Sequence, residues 1–268
     1  MSRPKNFSRR SFLGTAAAAA AVPAAGALAG CQSGPAADSS EPARPARRMV
    51  ASENSLPGDA NWWIKHQGAP QAIMGYAGQA SVLPGEPIHL YVSTTSREFT
   101  VKAFRMGWYR GDLARKVWES AAVRGHRQRP AERIAETNTV HTRWGRSLTI
   151  HTEGWPAGSY LLRLDAHSGQ RYVPVTVRSH STAGKVVLKS GVSTWQAYNR
   201  WGEYDLYLGA DGSYANRALV VSLEMPSFGR VADGRPASRI LASVLVMEFS
   251  GQLRDHARDL RLAAHLTA

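Results

Sequence analysis

The densest group of side chains able to do chemistry is Val192-Ser193-Thr194-Trp195-Gln196-Ala197-Tyr198-Asn199-Arg200-Trp201-Gly202. There hydroxyls, amides, a phenol and two indoles follow the β-branched run Lys185-Val186-Val187-Leu188-Lys189-Ser190. A buried strand running into a polar, aromatic segment is how an α/β domain sets a site at the carboxyl end of its sheet. Ser193 after such a strand invites comparison with a nucleophile elbow. The glycine that should follow the serine is missing, however, and no His–acid pair goes with it, so Ser193 is expected to cap the next helix. HExxH, GxSxG and P-loop spacings are absent, which leaves zinc-protease, α/β-hydrolase and nucleotide-hydrolase chemistry without a motif. His141 and His151 bracket one expected strand, but the nine histidines are scattered without ligand spacing, so these two read as surface residues.

A second candidate lies upstream. Trp62, Trp63, Trp108, Trp118, Trp144 and Trp155 crowd one part of the chain, and Arg105-Met106-Gly107-Trp108-Tyr109-Arg110-Gly111 reads as a loop. Trp108 and Tyr109 in a polar loop could stack on a sugar face and make a module that binds cell-wall glycan. In the alternative, Trp108 folds back over the domain edge against its arginine neighbours.

The elements that must position these groups fall in two unequal parts. Over residues 52–180 the apolar pattern has period two, as in Ile88-His89-Leu90-Tyr91-Val92, Phe99-Thr100-Val101-Lys102-Ala103-Phe104, Ser147-Leu148-Thr149-Ile150, Tyr160-Leu161-Leu162-Arg163-Leu164 and Tyr172-Val173-Pro174-Val175-Thr176-Val177. Turn residues separate these strands at Leu83-Pro84-Gly85-Glu86-Pro87, Tyr109-Arg110-Gly111-Asp112 and Ala166-His167-Ser168-Gly169. Trp155-Pro156-Ala157-Gly158-Ser159-Tyr160 resembles the tyrosine corner of immunoglobulin-like sandwiches, with Leu162 where an antibody domain carries its second cysteine. The expected fold is therefore mainly β, an immunoglobulin-like sandwich whose last strand, through Val177, lies beside the strand from Phe99. Residues 181–268 read as the start of an α/β domain. A second strand is expected at Ala218-Leu219-Val220-Val221-Ser222-Leu223 after a turn at Asp211-Gly212, and a helix through Leu253, Ala257, Leu260 and Ala264. Two strands cannot cover both faces of a buried sheet, so that domain is expected to be incomplete in this chain.

The first thirty residues predict export. Arg9 and Arg10 in Ser8-Arg9-Arg10-Ser11-Phe12-Leu13 precede an alanine-rich apolar run, and Leu28-Ala29-Gly30-Cys31 follows. This layout resembles a twin-arginine signal joined to a bacterial lipobox. A membrane-spanning helix fits less well, because the run is weakly apolar and Pro23 interrupts it. Cys31 is the only cysteine, which excludes an internal disulfide and leaves lipidation as the use for its sulfur. The expected product is tethered by its N-terminal lipid to the outer face of the cytoplasmic membrane, or secreted, with residues 31–51 as a Ser/Pro/Ala/Arg spacer.

The formal charge is +13, and Arg3, Lys5, Arg9 and Arg10 account for four of it, so loss of the signal leaves +9. Such a balance favours anionic surfaces. Arginine-rich composition explains it as well, and no zinc-finger spacing, RNP-like strand or basic helix points to nucleic acid.

Glu53-Asn54-Ser55-Leu56-Pro57-Gly58, Ile73-Met74-Gly75-Tyr76-Ala77, Phe104-Arg105-Met106-Gly107-Trp108-Tyr109, Trp155-Pro156-Ala157-Gly158-Ser159-Tyr160 and Thr194-Trp195-Gln196-Ala197-Tyr198-Asn199 occur in this order. Together they resemble the N,N-dimethylformamidase large (beta) subunit-like family, in its C-terminal region, over residues 52–225. The resemblance implies a sandwich followed by an amidotransferase-like α/β domain, and a mononuclear iron held by tyrosine and glutamate that serves hydrolysis of a small amide. Phenolate and carboxylate are hard donors suited to ferric iron. It places Tyr198 as metal ligand and catalytic residue, with Trp195, Asn199 and Trp201 lining the substrate. Tyr204, Tyr207, Glu224 and Glu248 have suitable chemistry without an aligned role. The matching texture fades after Pro226, and the alanine–arginine tail is expected to reflect a premature stop or a shifted frame.

Overall fold

A computed structural model describes residues 51–183, 187 and 189–227. The strands are β1 (Ile73–Ala77), β2 (Ser81–Val82), β3 (Ile88–Thr94), β4 (Glu98–Met106), β5 (Ala114–Glu119), β6 (Val123–Arg124), β7 (Glu132–Ile134), β8 (Thr139–His141), β9 (Leu148–Ile150), β10 (Gly158–Ala166) and β11 (Gly169–Val177), followed by one helix, α1 (Val192–Ala197). Each strand expected from period-two alternation in the first domain is present, because that pattern gives a pleated strand one face to bury.

Two sheets form a sandwich of immunoglobulin type. One has the order β1-β3-β9, the other β2-β11-β10-β4-β5, with β6 also pairing β4. Ile73, Ile88, Leu90, Val92 and Ile150 face Val101, Ala103, Tyr160, Leu162, Leu164, Val173 and Val175 in the core between them. The last strand does not lie beside the strand from Phe99, as the sequence led us to expect. The tight Ala166↔Gly169 hairpin makes β10 the neighbour of β11, and β10 then pairs with β4 on its other edge. The tyrosine corner is present: Tyr160 Oη donates to Pro156 O at 2.5 Å, and Leu162 is fully buried in the cysteine's place. A Cβ at Gly158 would meet Arg105 Nε at 2.8 Å, so a larger residue there would have to displace the guanidinium that donates to Ala157 O.

The outer face of the larger sheet is covered too. Trp62, Phe104, Met106, Leu113, Ala114 and Leu161 form a second core, against which Trp63, Trp108, Tyr172 and Trp195 pack. Trp62 comes from an arm that precedes β1 and crosses this face. Buried Arg163 donates to Asn61 O and, at 3.0 Å, to Trp63 O, while Arg171 donates to Gln67 O and, at 3.1 Å, to Ala69 O. Gln170 Oε1 accepts from Lys65 N and His66 N, and Tyr172 Oη donates to Trp62 O at 2.7 Å. Side chains that an isolated sheet would turn to water thus satisfy the arm's carbonyls and amides, which must be paired once buried.

The arm begins with the first motif and is clamped to the third. Glu53 Oε1 accepts from Tyr109 Oη at 2.8 Å and from Arg115 Nε at 2.9 Å, with Arg115 Nη2 closing a fork. Arg105 Nη1 donates to Tyr109 Oη at 2.8 Å, and Asn54 Oδ1 accepts from Trp108 N at 3.1 Å. Residues 105–111 are therefore not a free loop. Arg105 and Met106 end β4, and Tyr109–Gly111 is a 3-10 turn with left-handed Tyr109 and Arg110.

After the sandwich the described chain holds α1 and turns. Ala218-Leu219-Val220-Val221-Ser222-Leu223 forms no strand, and Leu219, Val220 and Leu223 are each more than half exposed. Lys185, Val186 and Leu188 of the strand expected before α1, and the helix expected through Leu253 and Ala264, lie outside the described residues. Among the described residues no helix is long and apolar enough to cross a membrane.

Candidate functional site

The segment from Gly191 to Pro226 is anchored to the sandwich at several points. α1 starts at Gly191 without a side-chain cap, so Ser193 is its second residue and not its cap, which corrects the expectation above. Trp195 packs on the second core. Trp201 donates Nε1 to Met74 Sδ at 3.4 Å and meets Trp144 edge-on at 6.0 Å. The β7–β8 hairpin supports the rest: Leu219 N donates to Thr137 O at 2.8 Å, and Asn138 Nδ2 donates to Asn216 O at 3.1 Å. From the loop just after it, Thr142 Oγ1 donates to Glu224 O at 2.8 Å. Gly202 has φ +81, and a Cβ there would lie 2.5 Å from Val140 Cγ1, so only glycine lets the turn sit on the hairpin.

Two buried polar residues then fix the turn that follows α1. Asn199 Nδ2 donates to Gln196 Oε1 at 2.8 Å and to Pro226 O at 2.9 Å, while its Oδ1 accepts from Trp201 N. The carboxylate of Asp205, 3% exposed, takes the amides of Tyr207 and Leu208, each at 2.7 Å, and its carbonyl accepts from Ala218 N at 2.8 Å. This geometry delivers Tyr207 onto Tyr198: the rings stack at 4.3 Å with 13° between planes, and both are roughly half exposed. A hydrogen bond to Tyr198 raises the Tyr207 hydroxyl above the ordinary phenol range, helped by repulsion from Tyr198 and from Asp205.

The predicted site residues therefore separate. Tyr198 stands open to solvent beside Tyr207. Trp195, Asn199 and Trp201 are taken up in anchoring α1 and its turn. Tyr204 lies under Arg133 at 5.5 Å, and Glu224 contributes a carbonyl to Thr142. Glu248 lies outside the described residues. His141 ends β8 and His151 follows β9, the one strand between them, as expected; His141 is 3.9 Å from Glu132 and His151 is exposed. Among the described residues no three His, Cys, Asp or Glu side chains converge as metal ligands. Tyr109 is fully buried in the arm clamp, which removes it from any sugar-stacking surface, and Trp108 is half-buried against the second core. Asp205 and Gln196 escaped sequence reasoning; a lone Asp before aromatic residues gives no sign that its carboxylate will cap a turn.

Fold and site together define an immunoglobulin-like sandwich that carries an aromatic helix–turn segment, with two phenols presented beside a buried carboxylate. The N,N-dimethylformamidase beta subunit-like, C-terminal family matches residues 100–266, more than half of the chain, and the chain belongs to that family. The match starts within β4 and runs through the tail, so the texture that fades by eye after Pro226 remains within the family's span. No curated protein matches the chain.

Proposed function

We propose that this protein is a lipid-anchored, exported hydrolase of small amide C–N bonds whose site centres on Tyr198 and Tyr207. Family membership supports the reaction class, and the stacked phenol pair beside Asp205 is the observation that carries the site. Phenol oxygens are hard donors, so the Tyr198–Tyr207 pair fits two positions of the ferric ion that the resemblance implies. Tyr198 and Tyr207 would hold it, and when bound it supplies Lewis acidity toward an amide carbonyl. Asp205 holds the turn, and through it the Tyr207 ring, by its two amide bonds. Asn199 ties the same turn to Pro226 O, so the phenol pair is positioned before any ligand arrives. Proton release from Tyr207 accompanies metal binding, and its hydrogen bond to Tyr198, which favours the neutral form, shifts loading toward higher pH.

The test loads the full-length chain with ferric iron and follows the visible phenolate-to-iron absorption together with hydrolysis of N,N-dimethylformamide. Tyr198→Phe and Tyr207→Phe should each reduce both signals while leaving the melting temperature unchanged, since both rings are exposed. Wild-type protein that takes up no iron and shows no amidase activity refutes the reading. For anchorage, fatty-acid labelling that persists after Cys31→Ser, or export that persists after replacing Arg9 and Arg10 with lysine, would overturn that part.

A further inference from the structure

Two phenols held in contact at the surface are open to a reaction that neither could undergo alone. The Tyr198 and Tyr207 rings stack at 4.3 Å with 13° between their planes and are exposed by 48% and 43%. Their hydroxyls hydrogen-bond to one another, which brings the ring carbons ortho to each oxygen to the same end of the stack. The backbone sets this meeting: Leu206 N donates to Ala197 O at 3.0 Å, so the residues just before the two rings are themselves bonded. Other phenols are engaged differently. Arg133 lies over Tyr204 at 5.5 Å and Arg217 over Tyr214 at 3.9 Å. Tyr76 and Tyr91 also stack, at 4.9 Å across β1 and β3, but Tyr76 is buried and its hydroxyl is bonded to Thr142 Oγ1 at 2.9 Å. A ring packed on all sides cannot swing out of its stack, whereas two exposed rings can.

We propose that the Tyr198–Tyr207 pair is an oxidative modification site, which a one-electron oxidant such as a haem peroxidase acting with hydrogen peroxide converts to an intramolecular dityrosine. Each phenol gives up one electron and its hydroxyl proton, leaving two phenoxyl radicals whose spin is shared onto the ortho carbons. A carbon–carbon bond forms between one ortho carbon of each ring. The hydrogen on each of those carbons passes through water to the neighbouring oxygen and restores both phenols. The pair has then lost two electrons and two protons, which reduce one hydrogen peroxide to two waters. Contact makes the coupling effectively unimolecular, an advantage that phenols on separate copies lack. No metal takes part, so the site does not depend on the iron reading above.

The test treats the full-length chain with peroxidase and hydrogen peroxide in the presence of a metal chelator, and reads dityrosine fluorescence and a tryptic map. Arg200 lies between the two tyrosines, so cleavage leaves Tyr198 in residues 190–200 and Tyr207 in residues 201–217, while Tyr76 and Tyr91 share residues 66–97. The expected product joins 190–200 to 201–217 with loss of two hydrogens, at a yield per chain that stays constant over about a tenfold dilution of the protein. Tyr198→Phe and Tyr207→Phe should each abolish it, and Tyr204→Phe and Tyr214→Phe should leave it in place. A map without the joined peptides, joined peptides that survive Tyr207→Phe, or joining found only in a covalent dimer whose yield rises with protein concentration overturns the proposal. Iron enters none of these readouts, so the amidase reading stands or falls separately.

Discussion

Glu53→Gln removes one charge from the arm clamp and leaves its shape intact. Glu53 Oε1 takes three hydrogen bonds, from Tyr109 Oη and from Nε and Nη2 of Arg115, and Arg115 also lies 5.8 Å from the Tyr109 ring centre. The glutamine oxygen can accept the same donors. What disappears is charge assistance, since hydrogen bonds to ionised groups contribute about 1.5–3 kcal/mol against about 0.5–1.5 for neutral ones. Three bonds to one atom are not additive, and the Arg115 side chain is 22% exposed, so solvent screens part of the loss. The net cost works out at about 2 kcal/mol, or a fall in melting temperature of about 4–8 °C for a domain of this size. Thermal unfolding of Glu53→Gln, Arg115→Met and the double variant closes a thermodynamic cycle, with a coupling of about 1–2 kcal/mol expected. Hydrogen exchange in residues 53–70 should rise more than in β10, because the clamp secures the arm and leaves the inner core untouched. A cycle that couples by less than about 0.3 kcal/mol, with the arm's exchange unchanged, would refute the clamp.

Alkaline pH should unfold the protein. Burial pushes the Tyr109 phenol up to about 12 and raises Tyr160 and Tyr172 further, so all three are held neutral in the fold. An unfolded tyrosine ionises near about 10, so this contribution is complete below that pH and is lost as pH rises through the folded value. Absorbance at the phenolate band should show the exposed tyrosines titrating first and the buried three only together with loss of tertiary signal; ionisation of every tyrosine in one reversible step near pH 10 would contradict it. Tyr160→Phe strands Pro156 O at the corner and should cost about 1–3 kcal/mol in urea unfolding with an unchanged m-value.

What the sequence revealed and what it concealed follow one physical division. Val101 and Ala103 flank Lys102, and Leu162 and Leu164 flank Arg163; a sheet with one face on the core favours that alternation, so the strands were legible. Arg163 and Tyr172 sit on the other face of the same strands and look like its solvent side. The arm covers them by presenting backbone carbonyls, and carbonyls leave no trace in residue type. The β7–β8 hairpin was hidden for a related reason: Glu132, Arg133 and Ile134 are all exposed, and the hairpin's work is done by the Thr137 carbonyl and the Asn138 amide. The site shows the division at its sharpest. Tyr198 could be singled out through its motif, but its partner Tyr207 is nine positions away across a turn set by left-handed Gly202 and Glu203 and capped by Asp205. Neither helical nor strand periodicity brings those two phenols together. The opposite error arose at Leu219 and Val220, whose composition is that of a strand although neither belongs to one. Residue type there records what the run is suited to bury, while pairing depends on a second segment that residue type does not name.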